Sequence, residues 1–367
     1  MTTILHTESS PGWGGQEMRV HLEMIGLRER GHRMLLACHP ESELAKRAER
    51  AGLEVWRLAF RRPIDPRLTW QMHRLLTQER VELVNTHSSV DSWVVSLAAR
   101  MARIPVVRTR HLSVPLKNDL FSLLVYSHLC DRIVTTAEAI RELLIREAGV
   151  GPSKVVSIPT GIELEQFDPL RVDGEAVRRE LGISKDIPLI GMVAVLRSWK
   201  GHRVLLEAVP LILAAYPRAK FVIVGEGPMR GMIEGWVEEM GLKKAVVMAG
   251  HREEIPEVLA ALDIVVLSST AAEGVPQAVV QSLAMEKPVV ATDVGGIREI
   301  IRDGETGLLV PPGDPRALAE AMTILLQDRE KAARLGVNGR HLVEQEFTLQ
   351  LMLERLESLY HTLLARR

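Results

Sequence analysis

The sequence predicts an α/β protein of two domains, each with a parallel sheet, and three observations support this prediction. Short apolar runs alternate with segments of helical periodicity, which is the pattern of βαβ units. The alternation stops at a Pro- and Asp-containing passage, residues 163–174, and then starts again. The chain has 367 residues, which is more than one hydrophobic core usually holds.

The first half contains seven predicted strands. Between residues 3 and 161 they read TILHT, RMLLACH, EVWRLAF, VELVNTH, PVVRTRH, CDRIVTTA and KVVSIPTG. Helices are predicted between them over 17–31, 43–52, 66–80, 91–103 and 138–149. Gly31 and Gly52 follow the first two helices, at the place where glycine commonly ends a helix.

The second half repeats the same organisation. Its predicted strands are IPLIGMVAVL, KFVIVGEG, AVVMAGH, IVVLSS and PVVAT. Its predicted helices cover 202–216, 231–241, 255–263, the stretch after Pro276, 316–328, 331–347 and 348–367. Ligands of open parallel sheets bind beyond the carboxyl ends of the strands. We therefore expect the site in a cleft between the two sheets.

The bulk composition excludes several classes of protein. A net charge of -1 argues against a general nucleic-acid binder. Cys38 and Cys130 lack the spacing of a zinc site, so reduced thiols in a cytoplasmic protein are expected. The first ten residues lack a basic region followed by an apolar one, so no signal peptide is expected, and no apolar run approaches the roughly 20 residues of a membrane span.

Charge is nevertheless unevenly distributed along the chain. Residues 57–117 contain eleven Lys and Arg but four acidic residues. This excess is consistent with a solvated surface on which arginine stems cover apolar area. It is equally consistent with a face for an anionic acceptor or for an anionic membrane surface. The apolar segment 118–130 follows directly and favours a lipid-linked acceptor.

Two features of the first half could contribute to a site. Gly14 and Gly15 follow the first strand and can adopt backbone angles that other residues avoid, which would let a ligand approach the next helix. They do not form a GxGxxG motif, and a tight turn explains them as well. His87 stands at the carboxyl end of a strand, where a structural and a catalytic role are about equally expected.

Two loops of the second half carry stronger signals. Arg197 and Lys200 lie between a buried strand and a helix, where two cations suit a diphosphate, although solvated loop charges are common. Gly225 and Gly227 follow the next strand, and a turn near a base or a ribose is the expected arrangement.

The stretch TAAEGVPQAVVQSLAMEKPVVATDVGG carries the most information. Pro276 suits the first turn of a helix, so the amides of residues 274–277 should face an anion. Gln277 and Gln281 are four residues apart and share one helix face. Gln281 is therefore either part of a solvated polar stripe or a partner for a ligand.

These motifs together resemble the family 4 retaining glycosyltransferases of GT-B architecture along nearly the whole chain. The matching segments are GGQE, NTHSS, IPTGIELEQF, LRSWKGH, VGEGP, AALDIVVLSS, EGVPQAVVQSLAMEKPVVATDVGGIREII and GETGLLVPPGD. The resemblance implies two Rossmann-like parallel-sheet domains facing a deep cleft. It implies an acceptor-side domain over 1–168, a linker over 169–185, a nucleotide-sugar-binding domain over 186–346, and a helix over 347–367 that crosses back to the first domain.

The resemblance also implies roles for individual residues. Arg197 and Lys200 match the basic pair that holds the donor diphosphate, and Glu273 matches the first acid of an E-x7-E motif near the donor sugar. His87 matches a histidine in the cleft, and these four residues form the expected catalytic set. The expected donor-binding set is Gly14, Gly15, Arg197, Lys200, Gly227, Arg252, Glu273, Gly274, Val275, Pro276, Gln277 and Gln281.

Three departures from the family pattern stand out. Gln281 replaces the second acid of the motif, which accepts hydrogen bonds from the ribose hydroxyls. Arg197 and Lys200 have two residues between them where the family more often has four, and Thr160 replaces the usual Asn. A neutral Gln still accepts one hydrogen bond and donates another, each weaker by about 1 kcal/mol than with a carboxylate. We expect weaker donor binding or an altered nucleotide preference.

The implied reaction is transfer of a sugar from a nucleoside diphosphate to an acceptor hydroxyl, with retention of configuration. No DxD triplet occurs in the chain, so no metal and no cofactor are expected. The expected acceptor is a carbohydrate or lipid-linked molecule of glycolipid, lipopolysaccharide or polysaccharide assembly, at the inner face of the cytoplasmic membrane. The alternatives are a GT-B sugar-nucleotide epimerase that hydrolyses its donor, or a non-catalytic homologue that binds sugar nucleotides.

Overall fold

A computed structural model describes residues 1–111, 124–271 and 273–365. The chain divides into two compact units. The first consists of Met1–Thr160 together with Leu349–Arg367, and the second of Gly161–Thr348. Part of the predicted apolar segment 118–130, Lys117 of the basic stretch, and the last two residues of the final helix lie outside the described residues.

The first unit contains a seven-stranded sheet in which all neighbouring strands are parallel. The strands are β1 (Thr3–Glu8), β2 (Arg33–Cys38), β3 (Glu54–Arg57), β4 (Leu83–Thr86), β5 (Val106–Arg110), β6 (Arg132–Thr135) and β7 (Val155–Ser157). Their spatial order is β3-β2-β1-β4-β5-β6-β7. The connecting helices are α1 (Gly15–Glu29), α2 (Glu43–Arg50), α3 (Pro66–Gln78), α4 (Ser89–Met101) and α5 (Glu138–Ala148).

Local sequence explains where several of these helices begin and end. Ser42 and Asp65 cap α2 and α3 by accepting hydrogen bonds from Ala45 N (2.9 Å) and Leu68 N (3.0 Å). Gly149 ends α5 in the left-handed conformation. The apolar side chains form one cluster on each face of the sheet, so both faces are covered, as parallel sheets require.

The second unit contains a six-stranded parallel sheet. Its strands are β8 (Leu189–Val193), β9 (Lys220–Val224), β10 (Val246–Gly250), β11 (Ile264–Leu267), β12 (Val289–Thr292) and β13 (Leu308–Val310). Its helices are α6 (Glu175–Glu180), α7 (His202–Ala215), α8 (Arg230–Glu239), α9 (Ile255–Ala261), α10 (Gln277–Ala284), α11 (Pro315–Gln327) and α12 (Arg329–Glu346). Counted from β8, the order is 3-2-1-4-5-6, that of the doubly wound nucleotide-binding fold.

The passage 169–185, predicted as a linker, contains the short helix α6 and packs within the second unit. Arg178 of α6 is mostly buried and donates a hydrogen bond from Nε to the carbonyl of Ala261 (2.7 Å). It also forms an ion pair with Asp263, at 2.8 Å between Nη2 and Oδ2. These contacts fix the passage against the end of α9.

The final helix, α13 (Leu349–Leu364), packs on the first unit, as predicted. Its buried Tyr360 hydroxyl accepts a hydrogen bond from Asn85 Nδ2 of β4 (2.9 Å). Leu353 lies so close to α1 that a Cβ at Gly26 would stand 2.3 Å from Leu353 Cδ1. Glu357 accepts a hydrogen bond from Arg30 at 2.9 Å.

Each sheet has one point at which the strand order reverses, and this is where ligands of such folds bind. In the first unit the reversal lies between β1 and β4, and in the second between β8 and β11. The loops that leave the carboxyl ends of these four strands therefore define two crevices, one in each unit.

Candidate active site

The β8/β11 crevice contains a buried ion pair between two predicted residues. Lys200 ends a short turn that follows β8, and Glu273 lies in the loop that follows β11. Lys200 Nζ lies 2.6 Å from Glu273 Oε1, and Ser269 Oγ donates to the same oxygen at 2.6 Å. Glu273 is only 5% exposed, so its carboxylate orients Lys200 within a poorly solvated site.

Close backbone contact holds the two loops together. Gly201 follows Lys200 with φ +70°, and a Cβ there would stand 1.8 Å from the carbonyl oxygen of Ser268. Thr270 N donates to the carbonyl of Trp199 at 2.7 Å. A larger residue at position 201 would push the Lys200 loop away from the Glu273 loop, so glycine is needed there.

Arg197 differs from Lys200 in its surroundings. Its side chain is exposed, and its guanidinium lies 5.7 Å from the centre of the Trp199 ring. Within the described parts of the chain it has no ion-pair partner. Arg197 thus offers an unneutralised charge beside the paired Lys200, which suits an anionic ligand.

The glycine loop after β9 is a tight turn, as expected from the sequence. Gly227 has φ +157°, and a Cβ there would stand 2.6 Å from the carbonyl oxygen of Leu196. Leu196 N donates to Glu226 O at 2.9 Å, so this loop packs on the loop that carries Arg197. The glycine thus maintains the shape of the crevice.

Helix α10 carries two glutamine side chains on one face, four residues apart. Gln281 is 7% exposed, which rules out a solvated polar stripe. Both amide atoms of Gln277 are buried and have no hydrogen-bond partner among the described residues. Buried polar groups normally have a partner, so unpaired amides on one helix face are consistent with a ligand that supplies one.

The start of α10 differs slightly from the prediction. Pro276 was placed in the first turn, but it is extended (φ -74°, ψ 124°) and precedes the helix as its N-cap. A proline ring cannot accept a capping hydrogen bond, so the first amides of α10 have no side-chain cap. Gly274 and Val275 lie in the loop that leads to them, and Gly296 N donates to Glu273 O at 3.2 Å, which ties this loop to its neighbour.

Arg252, also predicted to bind the donor, is engaged elsewhere in the second unit. It forms ion pairs with Glu180 of α6 and with Glu254. The hydrogen bond that Arg252 donates to Glu180 is the largest of the contacts that raise the pKa of Arg252. Two carboxylates already neutralise this guanidinium, so it offers less to an anion than Arg197 does.

The loop of Gly14 and Gly15 in the first unit does not need the backbone freedom that we predicted. Gly14 is extended (φ -157°, ψ -166°), and Gly15 is the first residue of α1. Other residues adopt both conformations, so the backbone does not require glycine here, and the role of the two glycines toward the donor stays a prediction. Gly14 has no side chain with which to cap α1, and Met18 N donates to Gly14 O at 2.9 Å in the first turn.

His87 lies at the end of β4, as predicted, but inside a row of three histidines. Its Nε2 lies 3.0 Å from His6 Nδ1, and its Nδ1 lies 3.0 Å from His111 Nε2. The ring centres are 5.1 Å and 5.3 Å apart. His87 is 4% exposed and both of its nitrogens are occupied, whereas His111 is partly exposed. His111, rather than His87, is therefore the histidine that a ligand can reach.

The three imidazoles are neutral near pH 7. Burial, with Arg19 as a second cause, lowers the pKa of His6 to about 3. Burial also lowers the pKa values of His87 and His111 well below the ordinary range, and nearby positive charge, including Arg108, adds to this. At the inner end of the row, His6 Nδ1 lies 3.8 Å from Glu23 Oε2. Glu23 Oε1 forms an ion pair with Arg19 Nε at 2.6 Å.

Sequence analysis missed His6 and His111, although a signal existed for His111. The predicted strands VELVNTH and PVVRTRH both end in histidine, and neighbouring parallel strands bring their carboxyl ends together. His6 lies inside β1 and resembles a core position. His6, Glu23 and His87 each offer one atom within 4.8 Å of the others, an arrangement that can also hold a metal ion, although we predicted none.

Two buried carboxyl groups occupy the same β1/β4 crevice and were also missed. Burial, followed by the charges of Asp91 and Glu17, raises the pKa of Glu8 to about 8. Burial raises the pKa of Asp91 to about 6, against a hydrogen bond from Thr7 Oγ1 at 2.6 Å. Glu8 accepts from Ser10 N at 2.9 Å and therefore holds the loop before α1.

Solved structures that resemble this chain include glycosyltransferases. A glycosyltransferase from Rickettsia africae superimposes with a TM-score of 0.89 at 22% identity, covering 99% of this chain and 98% of that one. HepE of Anabaena in complex with UDP-glucose gives 0.88 at 22% identity, covering 99% and 100%. They establish the GT-B fold that the sequence predicted. The fold and the β8/β11 crevice define an α/β protein of GT-B architecture whose second unit has a crevice suited to an anionic ligand.

Sequence comparisons identify the family. Residues 13–166 match the family Glycosyltransferase Family 4, and residues 173–342 match Glycosyl transferases group 1. A putative glycosyltransferase, EpsD, of Bacillus subtilis is 31% identical over 297 residues, 76% of this chain and 77% of that protein. The UDP-Gal:α-D-GlcNAc-diphosphoundecaprenol α-1,3-galactosyltransferase of Escherichia coli is 26% identical over 303 residues, 79% and 77%. The chain belongs to glycosyltransferase family 4.

Proposed function

We propose that this glycosyltransferase transfers a sugar, with retention and without a metal, from a nucleoside diphosphate to a hydroxyl of a lipid-linked or polymeric carbohydrate. One observation carries the proposal: the Lys200–Glu273 ion pair beside the exposed Arg197 at the β8/β11 crevice. A diphosphate leaving group gains negative charge as the bond to the sugar breaks. Preorganised cations in a poorly solvated site stabilise such charge.

The residues present can supply this stabilisation themselves. Arg197 can hold two phosphate oxygens at once, and Lys200 adds a compact charge whose position Glu273 fixes. The uncapped backbone amides at the start of α10 carry partial positive charge, which also favours the binding of an anion. The sequence has no DxD triplet that would suggest a metal-held diphosphate.

The state of Glu273 supports retention without a covalent intermediate. Oε1 of this carboxylate already accepts from both Lys200 and Ser269. Pairing with Lys200 withdraws negative charge from this carboxylate and makes it a weaker nucleophile toward the sugar carbon. We therefore assign Glu273 to positioning Lys200 and the donor sugar, with attack of the acceptor on the face that the diphosphate leaves.

The donor is expected to be a uridine diphosphate sugar. The Escherichia coli relative is named for UDP-galactose, and the Anabaena structure contains UDP-glucose. In this chain Gln277 and Gln281 would supply the polar contacts to the nucleotide, because both amide atoms of Gln277 are buried without a partner among the described residues and Gln281 lies on the same helix face. An amide can both accept from one ribose hydroxyl and donate to the other.

A basic surface on the first unit suits a membrane-linked acceptor. On α3, Arg67, Trp70 and Arg74 lie on one exposed face, and Trp70 is 57% exposed. Arg61 and Arg62 precede this helix, and none of the four arginines has an ion-pair partner among the described residues. Each unpaired arginine is worth about 1 kcal/mol near an anionic bilayer. Within the described ranges, no helix is long and apolar enough to span a bilayer.

A donor panel tests the transferase proposal directly. UDP-, GDP-, ADP-, CDP- and TDP-sugars would be incubated with the protein and a membrane lipid extract, and nucleotide release and glycolipid product measured together. We expect one UDP-sugar to give product, and its glycosidic bond to have retained configuration by NMR. Nucleotide release that ignores added lipid would contradict the transfer step.

We propose the inner face of the cytoplasmic membrane as the place of action, and vesicle flotation tests the membrane contact itself. We expect binding to vesicles with 30% phosphatidylglycerol and loss of binding in Trp70→Ser. Met232→Ser is the matched control, because Met232 is 55% exposed on the second unit. Equal flotation of the two variants would contradict the proposal that the exposed face of α3 binds the membrane.

A further inference from the structure

The two hydrogen bonds of the row His6–His87–His111 must run in the same direction, because each neutral imidazole has a single N–H proton. Each neutral imidazole carries one N–H and one free lone pair. His87 makes a hydrogen bond through each of its two nitrogens, so it must donate one and accept the other. The three rings therefore share one tautomer: either all carry the proton on Nδ1, or all carry it on Nε2.

The inner end of the row selects between these two tautomers. Arg19 is always protonated and fully buried, so its partner Glu23 must carry the compensating negative charge. Burial raises the pKa of Glu23, but Arg19 opposes this through charge and a hydrogen bond. Glu23 Oε2 is buried, has no hydrogen-bond partner in the described structure, and lies 3.8 Å from His6 Nδ1. A carboxylate at this place favours a proton on Nδ1.

The other nitrogen of His6 supports the same tautomer. His6 Nε2 is buried and has no partner in the part of the chain that the structure describes. A proton on Nε2 would leave a buried N–H group unpaired and would turn the Nδ1 lone pair toward the Glu23 carboxylate. Both effects raise the energy of that tautomer.

We propose that Glu23 and His6 are positioning residues that fix His111 as its Nδ1–H tautomer through His87. His111 then presents a neutral hydrogen-bond donor, and not a base, at the open end of the row. Its Nδ1 has no partner among the described residues, and the ring is partly exposed. The ligand class it recognises is an oxygen acceptor, such as a sugar hydroxyl or a phosphate oxygen, and this last assignment depends on the proposed function.

This arrangement has a clear physical advantage over a single histidine. An isolated imidazole near pH 7 exchanges between two tautomers and an imidazolium. Here two imidazoles and an ion pair, contributed by β1, α1 and β4, select one form before any ligand binds. A preorganised donor loses no free energy in reorienting when charge or a hydroxyl arrives.

Nitrogen NMR of histidine-labelled protein tests the proposal without requiring activity. Long-range proton–nitrogen correlations distinguish Nδ1–H from Nε2–H rings, and His6→Gln, His87→Gln and His111→Gln variants would assign the signals. We expect Nδ1–H for all three rings in the wild type. Nε2–H rings would overturn the proposal, as would loss of these N–H signals on adding Zn²⁺, which would indicate a metal site.

Glu23→Gln is the decisive variant. Gln can still accept from Arg19 through its oxygen while its NH₂ group donates to His6 Nδ1, so all three rings should switch to Nε2–H. Retention of Nδ1–H in this variant would contradict the role of Glu23. If Glu23→Gln does not fold, the wild-type measurement still decides the tautomer.

Substitution of His111 tests the use of the donor. An Asn amide can stand near the position of Nδ1, whereas a Gln amide reaches the position of Nε2. We expect kcat/KM to fall about 10-fold in His111→Asn and about 100-fold in both His111→Gln and His111→Ala, as for loss of one buried hydrogen bond. Equal losses in all three would contradict the donor role even if the tautomer is correct. Nδ1–H signals in a wild-type protein that transfers no sugar would instead count against the proposed function and leave the tautomer assignment standing.

Discussion

The two crevices of this glycosyltransferase lie at equivalent positions in their sheets, where the strand order reverses, but they contain different side chains. In the second unit, the β8/β11 crevice has a few charges in surface loops, among them the exposed Arg197. In the first unit, the β1/β4 crevice has a buried network of His6, His87, Glu8 and Asp91. The β8/β11 crevice is open to an anion, whereas the polar side chains of the β1/β4 crevice are already paired within the protein. The difference supports our proposal that the β8/β11 crevice binds the charged part of the donor and that the β1/β4 crevice supplies oriented polar groups.

The largest expected effect concerns stability of the first unit. Arg19→Met would leave the Glu23 carboxylate buried and unpaired, which costs about 3–5 kcal/mol of the free energy of unfolding. Denaturant unfolding measures it, with the exposed Arg50→Met as a control. The double variant Arg19→Met/Glu23→Leu should recover most of the loss. A loss below about 1 kcal/mol in the single variant would contradict the description of Glu23 as a carboxylate that is shielded from water and paired with Arg19.

The next effect concerns catalysis in the second unit. Glu273→Ala removes the partner of Lys200, and we expect kcat/KM for sugar transfer to fall about 100-fold, as for loss of an oriented charge in an active site. Steady-state rates with the donor found in the panel measure it. Glu257→Ala on α9 serves as the control for removing a carboxylate from the same unit. Equal rates for the two variants would show that the ion pair is structural.

A pH dependence distinguishes the two units further. The folded pKa of Glu8, about 8, lies above the ordinary value of 4.5, so the folded state binds the extra proton between these values. This stabilisation is present at low pH and is lost as pH rises through about 8. Between pH 7.5 and 8.5 the histidines are almost entirely neutral in the unfolded state as well, so we expect the free energy of unfolding to fall by roughly 0.7 kcal/mol in this interval. Glu8→Gln should abolish that slope, and a slope that is unchanged in the variant would contradict the assignment.

The smallest expected effect concerns Gln281. Gln281→Glu restores the acid of the family motif and a charged acceptor for a ribose hydroxyl. We expect Kd for the nucleotide to fall about 5-fold, which corresponds to about 1 kcal/mol. Isothermal titration calorimetry measures it, and Gln327→Glu at the end of α11 is the control. Weaker binding in Gln281→Glu would indicate that the amide donates to the ligand rather than accepts.

The sequence predicted the fold well because its signals are local. Alternating strands and helices are visible in hydrophobic periodicity, and Arg197, Lys200 and Glu273 are charged residues in loops between apolar runs. The β8/β11 residues could therefore be named before the structure was known. Their exact relation could not, because the Lys200–Glu273 pair joins residues 73 positions apart.

The histidine network was hidden for the opposite reason. His6, Glu23 and Arg19 are fully buried polar residues inside β1 and α1, and a buried polar residue within a strand or helix has no distinct pattern in one sequence. Their function depends on contacts among β1, α1, β4 and β5. His87 was predicted because it ends a strand, but its neighbour His111 occupies the accessible position.

One binding measurement tests the central claim, that the β8/β11 crevice of the second unit holds the sugar nucleotide. The Kd of UDP would be measured by calorimetry for the wild type, for Arg197→Gln and for Arg316→Gln. Arg316 is the matched control, because it is exposed on the same unit and has no ion-pair partner among the described residues. We expect Arg197→Gln to weaken binding by about 10-fold or more, as for loss of a charged hydrogen bond, and Arg316→Gln to bind like the wild type. Equal affinities for all three proteins would contradict the account.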